Sequence, residues 1–390
     1  MIYLAAGVAS LILWIYLLVG RGRFWRIDEV FEAVGPHNER RGEREWPAVK
    51  AVVPARDEAD VIGQTVASLV SQDYPGPLAI VVVDDQSSDA TAAVARRAAG
   101  GDGRVTVIEG TNPPPGWTGK VWAMQEGIAA ADAAPGRADY LLFVDADILL
   151  ERGVLSRLIA VADARGAVLA SLMVKLRCQS RAEGWLVPAF IFFFRMLYPF
   201  SWVNDLRRPT AAAAGGCMLI RRQALAEGSA LAALRGALID DCALAALLKR
   251  RGPIWLGLTQ EAFSLRAYPD FASFGRMVAR SAFAELRFSW LRLCATIAAM
   301  GLVFLAPPLL ALLSRGAPQA CGFAAWAIMA IAFAPTLRFY RRPIFGALAL
   351  PGIAAAYMLF TIQSAVQYRA GRGGLWKGRV QAPAPKARRA

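Results

Sequence analysis

Leu78 to Asp84 reads LAIVVVD, and Asp85-Gln86-Ser87-Ser88-Asp89 follows it directly. A continuous apolar, β-branched run of this length marks a strand buried on both faces, the kind parallel sheets contain. The same pattern repeats to either side. Before it lie Ala48 to Ala55 (AVKAVVPA), a second such strand, and a helix over about residues 59–70. After it come a helix over 89–99, a strand over 105–108, a helix over 120–131 and the strand Tyr140 to Val144, YLLFV. Strands alternating with helices at this spacing build βαβ units, so the fold class is α/β with a parallel sheet.

Ligands of such sheets sit beyond the carboxyl ends of the strands. Acids gather there three times, as Arg56-Asp57-Glu58, as Asp84 to Asp89, and as Asp145-Ala146-Asp147. Each cluster alone reads as an ordinary helix cap. Three at successive strand ends point to a shared site, because converging carboxylates repel unless a cation or sugar hydroxyls lie among them. Asp-x-Asp at a strand end suits a hard divalent cation, Mg2+ or Mn2+, with a diphosphate supplying further oxygens. Lys120 opens a helix after the turn Pro113-Pro114-Pro115-Gly116-Trp117-Thr118-Gly119. Its Gly-Lys pair resembles a phosphate cradle, although the rest of a P-loop is missing. Asp240-Asp241 opens another amphipathic helix. It reads either as a cap favoured by the helix dipole or as a general base for a substrate hydroxyl.

Residue usage removes other chemistries. His37 is the single histidine, and the five cysteines are scattered without a C-x-x-C pair. Ser-His-Asp, Cys-His, zinc and disulfide frameworks are excluded on that ground, and a reducing compartment is the default. Acid–base work then falls to carboxylates, and any metal to oxygen ligands.

The 390 residues are 56% hydrophobic and 19% charged, with a formal net charge of +14. No Asp or Glu follows Glu285, while about thirteen Lys and Arg do, so residues 1–285 are close to neutral. The excess lies beside apolar runs, which favours an anionic membrane surface over nucleic acid. Met1 to Gly20 is a span-length apolar run followed by Arg21, Arg23 and Arg26. Its alternative is a cleaved signal peptide, but it has no basic n-region and no small-residue cleavage site. An anchor is expected, with the chain after it on the cytoplasmic side. Three further apolar runs cover roughly Leu293–Leu313, Ala320–Leu337 and Ile344–Val366. Pro307-Pro308 and Pro351-Gly352 make kinks or re-entrant turns plausible there. Three full spans would carry the basic tail outward against its charge, so one run, the third, is expected to be re-entrant or interfacial. The expected organisation is an anchor (1–20), a linker (21–45), a catalytic domain (46–290), membrane segments (291–367) and a basic tail (368–390).

VVPARDEADVIGQTVASL, VVVDDQSSDAT, GWTGKVWAMQEGI, LLFVDAD, GGCMLIRR and IDDCALAALLKRRG, in this order, resemble the family 2 glycosyltransferases of the GT-A fold. The resemblance covers about residues 46–290. With the N-terminal anchor and Leu375-Trp376-Lys377-Gly378-Arg379, it looks most like the hopanoid-biosynthesis-associated membrane glycosyltransferases. It implies a Rossmann-like, mostly parallel GT-A domain flanked by transmembrane helices. Pro54, Ala55, Glu58 and Asp85 would line the uridine pocket of a UDP-sugar, with Lys120 near the diphosphate and Asp145 near the donor. Asp147 would bind the divalent metal, and Gly215, Gly216, Cys217 and Asp240 would shape the acceptor side. Asp241 would be the base of an inverting displacement. Asp240 stands where the family usually has Glu, and Asp57 where Asn is common.

Trp185 to Val203 (WLVPAFIFFFRMLYPFSWV) reads either as a buried core segment or as an interfacial hairpin, and its aromatics favour the hairpin. It precedes Asp241, where an acceptor would enter, so a lipid acceptor is expected, a polycyclic isoprenoid or another lipid alcohol. A processive polysaccharide synthase would carry Q-x-x-R-W after the base, and Phe274 to Arg280 lacks it. Arg276 and Arg280 lie one helical turn apart and face either donor phosphates or lipid head groups. A non-catalytic basic membrane scaffold is the remaining alternative, opposed by the intact Asp85, Lys120, Asp147 and Asp241. The overall expectation is an inner-membrane enzyme with a cytoplasmic catalytic domain, a nucleotide-sugar donor and no nucleic-acid partner.

Overall fold

A computed structural model describes residues 1–33, 45–226 and 230–382. His37 and residues 383–390 of the expected tail lie outside them. The chain divides into two compact units. Glu29–Arg177 with Trp202–Ala267 forms a sheet unit, and Met1–Asp28, Cys178–Ser201 and Tyr268–Ala390 form a helical unit. The expected span of 46–290 is thus divided, with 178–201 and 268–290 grouping with the apolar helices.

Among the described residues, the sheet unit is built on eight strands: β1 (Val49–Ala55), β2 (Leu78–Asp84), β3 (Val105–Glu109), β4 (Tyr140–Val144), β5 (Ile148–Leu150), β6 (Leu169–Lys175), β7 (Cys217–Arg221) and β8 (Ile254–Ser264). Their order is β3-β2-β1-β4-β7-β6-β8-β5. The four strands from β3 to β4 are parallel, as the βαβ spacing requires. β7 runs antiparallel to both β4 and β6, β8 is parallel to β6, and β5 is antiparallel to β8.

Register brings the ends of distant strands together. Ala55 pairs with Asp84, and the Asp85 amide donates to the Ala55 carbonyl at 2.8 Å. Cys217 pairs with Val144, so Gly216 accepts from the Asp145 amide at 3.2 Å. Ser264 pairs with Ile148, and the Leu265 amide donates to the Asp147 carbonyl at 2.8 Å.

β1 shows how the layers form. All its residues are buried, and successive side chains point to opposite faces. Val49, Ala51, Val53 and Ala55 join a core with Ile62, Val66 and Leu69 of the Ile62–Val70 helix. On the other face, the Gly119–Ala133 helix lies so close that a Cβ on Gly127 would meet Val52 Cγ1 at 2.3 Å. Glycine there is a packing requirement. Lys50, on the same face, is 4% exposed. Its Nζ donates to the carbonyls of Ala131, Ala134 and Gly136, which the end of that helix leaves without helical partners.

The helical unit contains helices long and apolar enough to cross a membrane at Ile2–Val19, Trp290–Leu313, Ala317–Phe339 and Ile344–Arg369. Trp185 to Val203 is not a hairpin. A helix runs through it from Arg181 to Leu197, with Leu186, Val187, Ile191, Phe192 and Phe193 buried, and Phe200–Val203 forms a short turn of its own. Tyr357 donates its hydroxyl to the Leu186 carbonyl at 2.8 Å. The third apolar run is a continuous helix, Leu350–Arg369, entered by a 3-10 segment, Ile344–Ala349. Pro351 falls in its first turn, where a missing N–H costs nothing, so no break results. Along 290–313 the prolines do act. Pro307 has no N–H to return to Val303, the segment Gly301–Leu305 widens into a π turn, and the Trp14 indole N–H supplies the Val303 carbonyl at 2.7 Å.

Candidate active site

Three loops and one helix start meet at the carboxyl end of the sheet, and most of their carboxylates have partners within the chain. Asp57 is in a left-handed conformation, φ 50°, and Oδ1 accepts from the Ser88 amide at 2.7 Å and from its hydroxyl at 3.0 Å. Asp84 Oδ1 accepts from Ser87, and Asp89 Oδ1 accepts from the Thr91 amide at 2.9 Å at the start of the Thr91–Ala99 helix. Asp57 thereby ties the loop after β1 to the loop after β2, while Asp84 and Asp89 brace their own loop; neither following helix has a side-chain cap. Arg56 reinforces the tie, its Nη1 donating to the Asp85 carbonyl at 2.5 Å.

The remaining carboxylates group around two cations of the chain itself. In the first group, Lys120 Nζ lies 2.8 Å from Asp145 Oδ1 and 3.7 Å from Asp240 Oδ2. Asp241 joins it through Gly215, whose amide donates to Asp241 Oδ2 at 2.9 Å. A Cβ on Gly215 would stand 3.3 Å from both Asp241 Oδ2 and Lys120 Nζ, so a side chain there would crowd the group. The Cys242 amide donates to Asp241 Oδ1 at 2.7 Å, as expected of an acid in the first turn of the Asp240–Leu248 helix.

Charge within this group is unevenly shared. Burial raises the Asp241 carboxyl, the neighbouring Asp240 raises it further, and Lys120 with the two amides opposes them, leaving it at about 6. Burial alone would lower Lys120, but Asp145, Asp240 and Asp241 together hold it above the ordinary lysine value. The lysine therefore stays charged at neutral pH, while Asp241 lies close enough to neutrality to take up and release a proton.

In the second group, Arg266 pairs through Nη2 with Glu58 Oε1 and lies 3.4 Å through Nε from Asp147 Oδ2. The Ser264 hydroxyl donates to the same Asp147 oxygen at 2.7 Å. Arg266 and Ser264 were not read from the sequence. The signal was their place at the end of β8, a strand the alternation pattern did not reach.

Of the other sequence-predicted residues, Pro54, Ala55 and Asp85 are buried at the ends of β1 and β2. The backbone of Gly215 and Gly216 stands beside Asp241 and Asp145, whereas the Cys217 side chain enters the core. The Cys217 side chain is fully buried in the apolar core, and its thiol is pushed up to about 12 by burial and then by the charge of Asp145. It is a core residue, not part of an acceptor-facing surface.

The oxygen donors beside Asp147 suit a hard cation. Among the described residues no group of three or more His, Cys, Asp or Glu side chains could hold a metal alone. One carboxylate and a hydroxyl fit a Mg2+-type site completed by phosphate oxygens and water.

Residues 50–228 match the family model Glycosyl transferase family 2. An N-acetylglucosaminyltransferase from Rhizobium leguminosarum bv. viciae is 30% identical over 191 residues, covering 46% of this chain and 40% of the relative. One from Azorhizobium caulinodans is 32% identical over 143 residues, 36% of this chain and 33% of the relative. The chain thus spans less than half the length of these curated relatives. Among solved structures, a mannosyltransferase from Pyrobaculum calidifontis in complex with GDP-Man and Mn2+ is 18% identical, with a TM-score of 0.51 over 94% of this chain and 98% of that one. That likeness shows the fold, which is the GT-A fold expected from the sequence.

Proposed function

We propose that this chain, through its family 2 glycosyltransferase domain at residues 50–228, moves a sugar from a nucleotide donor to a lipid hydroxyl with inversion at the anomeric carbon. The observation that carries the reading is the Lys120 group. It puts a permanent cation and a carboxyl of pKa about 6 at the end of the sheet where donors of this fold class are held.

Asp241 accepts the proton of the acceptor hydroxyl as that oxygen attacks the anomeric carbon. The Gly215 and Cys242 amides each hold one of its two oxygens, and each oxygen keeps a lone pair with which to take the acceptor proton. Lys120, tethered to Asp145, offers positive charge to the donor phosphates. Asp147 and the Ser264 hydroxyl are the groups that would hold a divalent cation, which when bound stabilises the departing diphosphate. Pro54, Ala55, Glu58 and Asp85 form the floor for the nucleoside. The names of the relatives make UDP-N-acetylglucosamine the first donor to test.

The lipid acceptor is supported by five apolar helices of span length among the described residues, and a polycyclic isoprenoid alcohol fits the resemblance to hopanoid-associated enzymes. Arg21, Arg23 and Arg26 directly after the first of these helices favour an inner membrane with the sheet unit on the cytoplasmic side.

Membranes containing the protein, incubated with radiolabelled UDP-N-acetylglucosamine and extracted with organic solvent, test this reading. Label is expected in the lipid fraction, falling by about 10²–10⁴-fold in Asp241→Asn while UDP binding persists. Label found only in water-soluble products would exclude the lipid acceptor. A ladder of long polymer would favour a processive synthase.

A further inference from the structure

We propose that Arg266 is a placeholder for the divalent cation, holding Asp147 while the donor is absent and releasing it when cation and diphosphate enter together. The inference rests on reading Asp147 as the cation's ligand.

Arg266 follows β8 and reaches across to two carboxylates from separate loops. The Glu58 and Asp147 side chains are only 10% and 11% exposed, against 35% for Arg266. Two nearly buried acids this close to one another are costly unless neutralised, and a guanidinium keeps its charge at any working pH. Asp147 Oδ2 already accepts from the Ser264 hydroxyl at 2.7 Å and lies 3.4 Å from Arg266 Nε.

A divalent cation binds a carboxylate oxygen at roughly 2.0–2.6 Å. An ion on Oδ2 would therefore stand within a few ångströms of the guanidinium, and the two positive charges repel. Without a nucleotide, the cation must displace Arg266 from Asp147. With a nucleotide, the diphosphate brings negative charge that completes the cation's shell and gives Arg266 a new partner. Cation and nucleotide then bind cooperatively, each strengthening the other by the same factor. Arg266 sets that factor as a positioning residue acting through Asp147.

Mn2+ binding to the full chain in detergent, followed by the paramagnetic resonance signal of free Mn2+ with and without UDP, tests this. In Arg266→Gln, Mn2+ binding without UDP should tighten by about fivefold or more, and the gain from adding UDP should shrink accordingly. Arg266→Lys, which keeps the charge, should stay near the wild-type affinity. General structural damage would weaken binding, so a tightening is specific to competition. Unchanged or weaker Mn2+ binding in an Arg266→Gln protein that still binds UDP would overturn the proposal. In that case Asp147→Asn, if it abolishes Mn2+ binding, leaves the reading of Asp147 standing. Absence of Mn2+ binding to the wild type even with UDP would overturn that reading and the proposal together.

Discussion

Opposed neighbours set the pKa of the Asp241 carboxyl. Burial and Asp240 push its carboxyl up, and Lys120 and two amides pull it down. In the proposed role of base it would act only when ionised, so transfer should fall about tenfold per pH unit below about 6 and level off above it. Because Lys120 lowers this value, Lys120→Met should move the acid limb to higher pH as well as reduce the rate. A limb that stays at the same pH in Lys120→Met would separate the two groups. Lys120, Asp145, Asp147, Asp240 and Asp241 stood out as candidates because each sits in a short local motif at a strand end or helix start. Arg266 was not. It meets Glu58 from 208 positions away, and no short motif surrounds it. Cys217 failed in the opposite sense. The motif around it was recognised, but strand alternation turns its side chain into the core while Gly215 and Gly216 stay at the site.

The Gly119–Ala133 helix connects packing to chemistry at the scale of an element. Its first turn carries Lys120, its middle lies on β1 through Gly127, and its end is held by Lys50. Gly127→Ala would drive a methyl into Val52 and lift the helix from the sheet, costing about 1–3 kcal/mol as overpacking does. It should also reduce transfer, because Lys120 moves with the helix. Thermal unfolding and activity measured on one preparation check both, and a stable variant with full activity would refute the coupling. The strands and helices from Val49 to Val144 were legible because buried parallel strands read as unbroken apolar runs. The later strands were harder to read. β5 has three residues, β7 is inserted antiparallel, and β8 pairs with β6 through a register shift between Met173 and Lys175. Such features depend on partners distant in sequence.

For the whole molecule, the connections between the units constrain the membrane topology. The segment 178–201 leaves the sheet unit and returns to it. A single crossing by Arg181–Leu197 would place parts of one sheet on opposite sides of a bilayer, so this helix is expected to stay on one side despite its apolar length. Leu350–Arg369 packs along Phe271–Glu285, where Ser364 Oγ accepts from the Phe283 amide at 3.0 Å and donates to the Ala279 carbonyl. Crossings by Ile2–Val19, Trp290–Leu313 and Ala317–Phe339 alone would put Arg21, Arg23, Arg26, Arg338, Arg341, Arg342 and the tail on one side. A reporter fused to the C-terminus should therefore read as cytoplasmic, and a periplasmic signal would require Leu350–Arg369 to cross. Apolar length was legible from the sequence, but crossing was not, since span-length runs also form helices packed within a unit.

The bond from Trp14 to the Val303 carbonyl joins residues 289 positions apart, and this sets a schedule for biogenesis. At about 5–20 residues per second, the first helix leaves the ribosome roughly 15–60 s before the backbone group it completes exists. During that interval the indole must hydrogen-bond to water, lipid head groups or the insertion machinery. A chain truncated before residue 290 would lack the carbonyl to which the Trp14 indole donates.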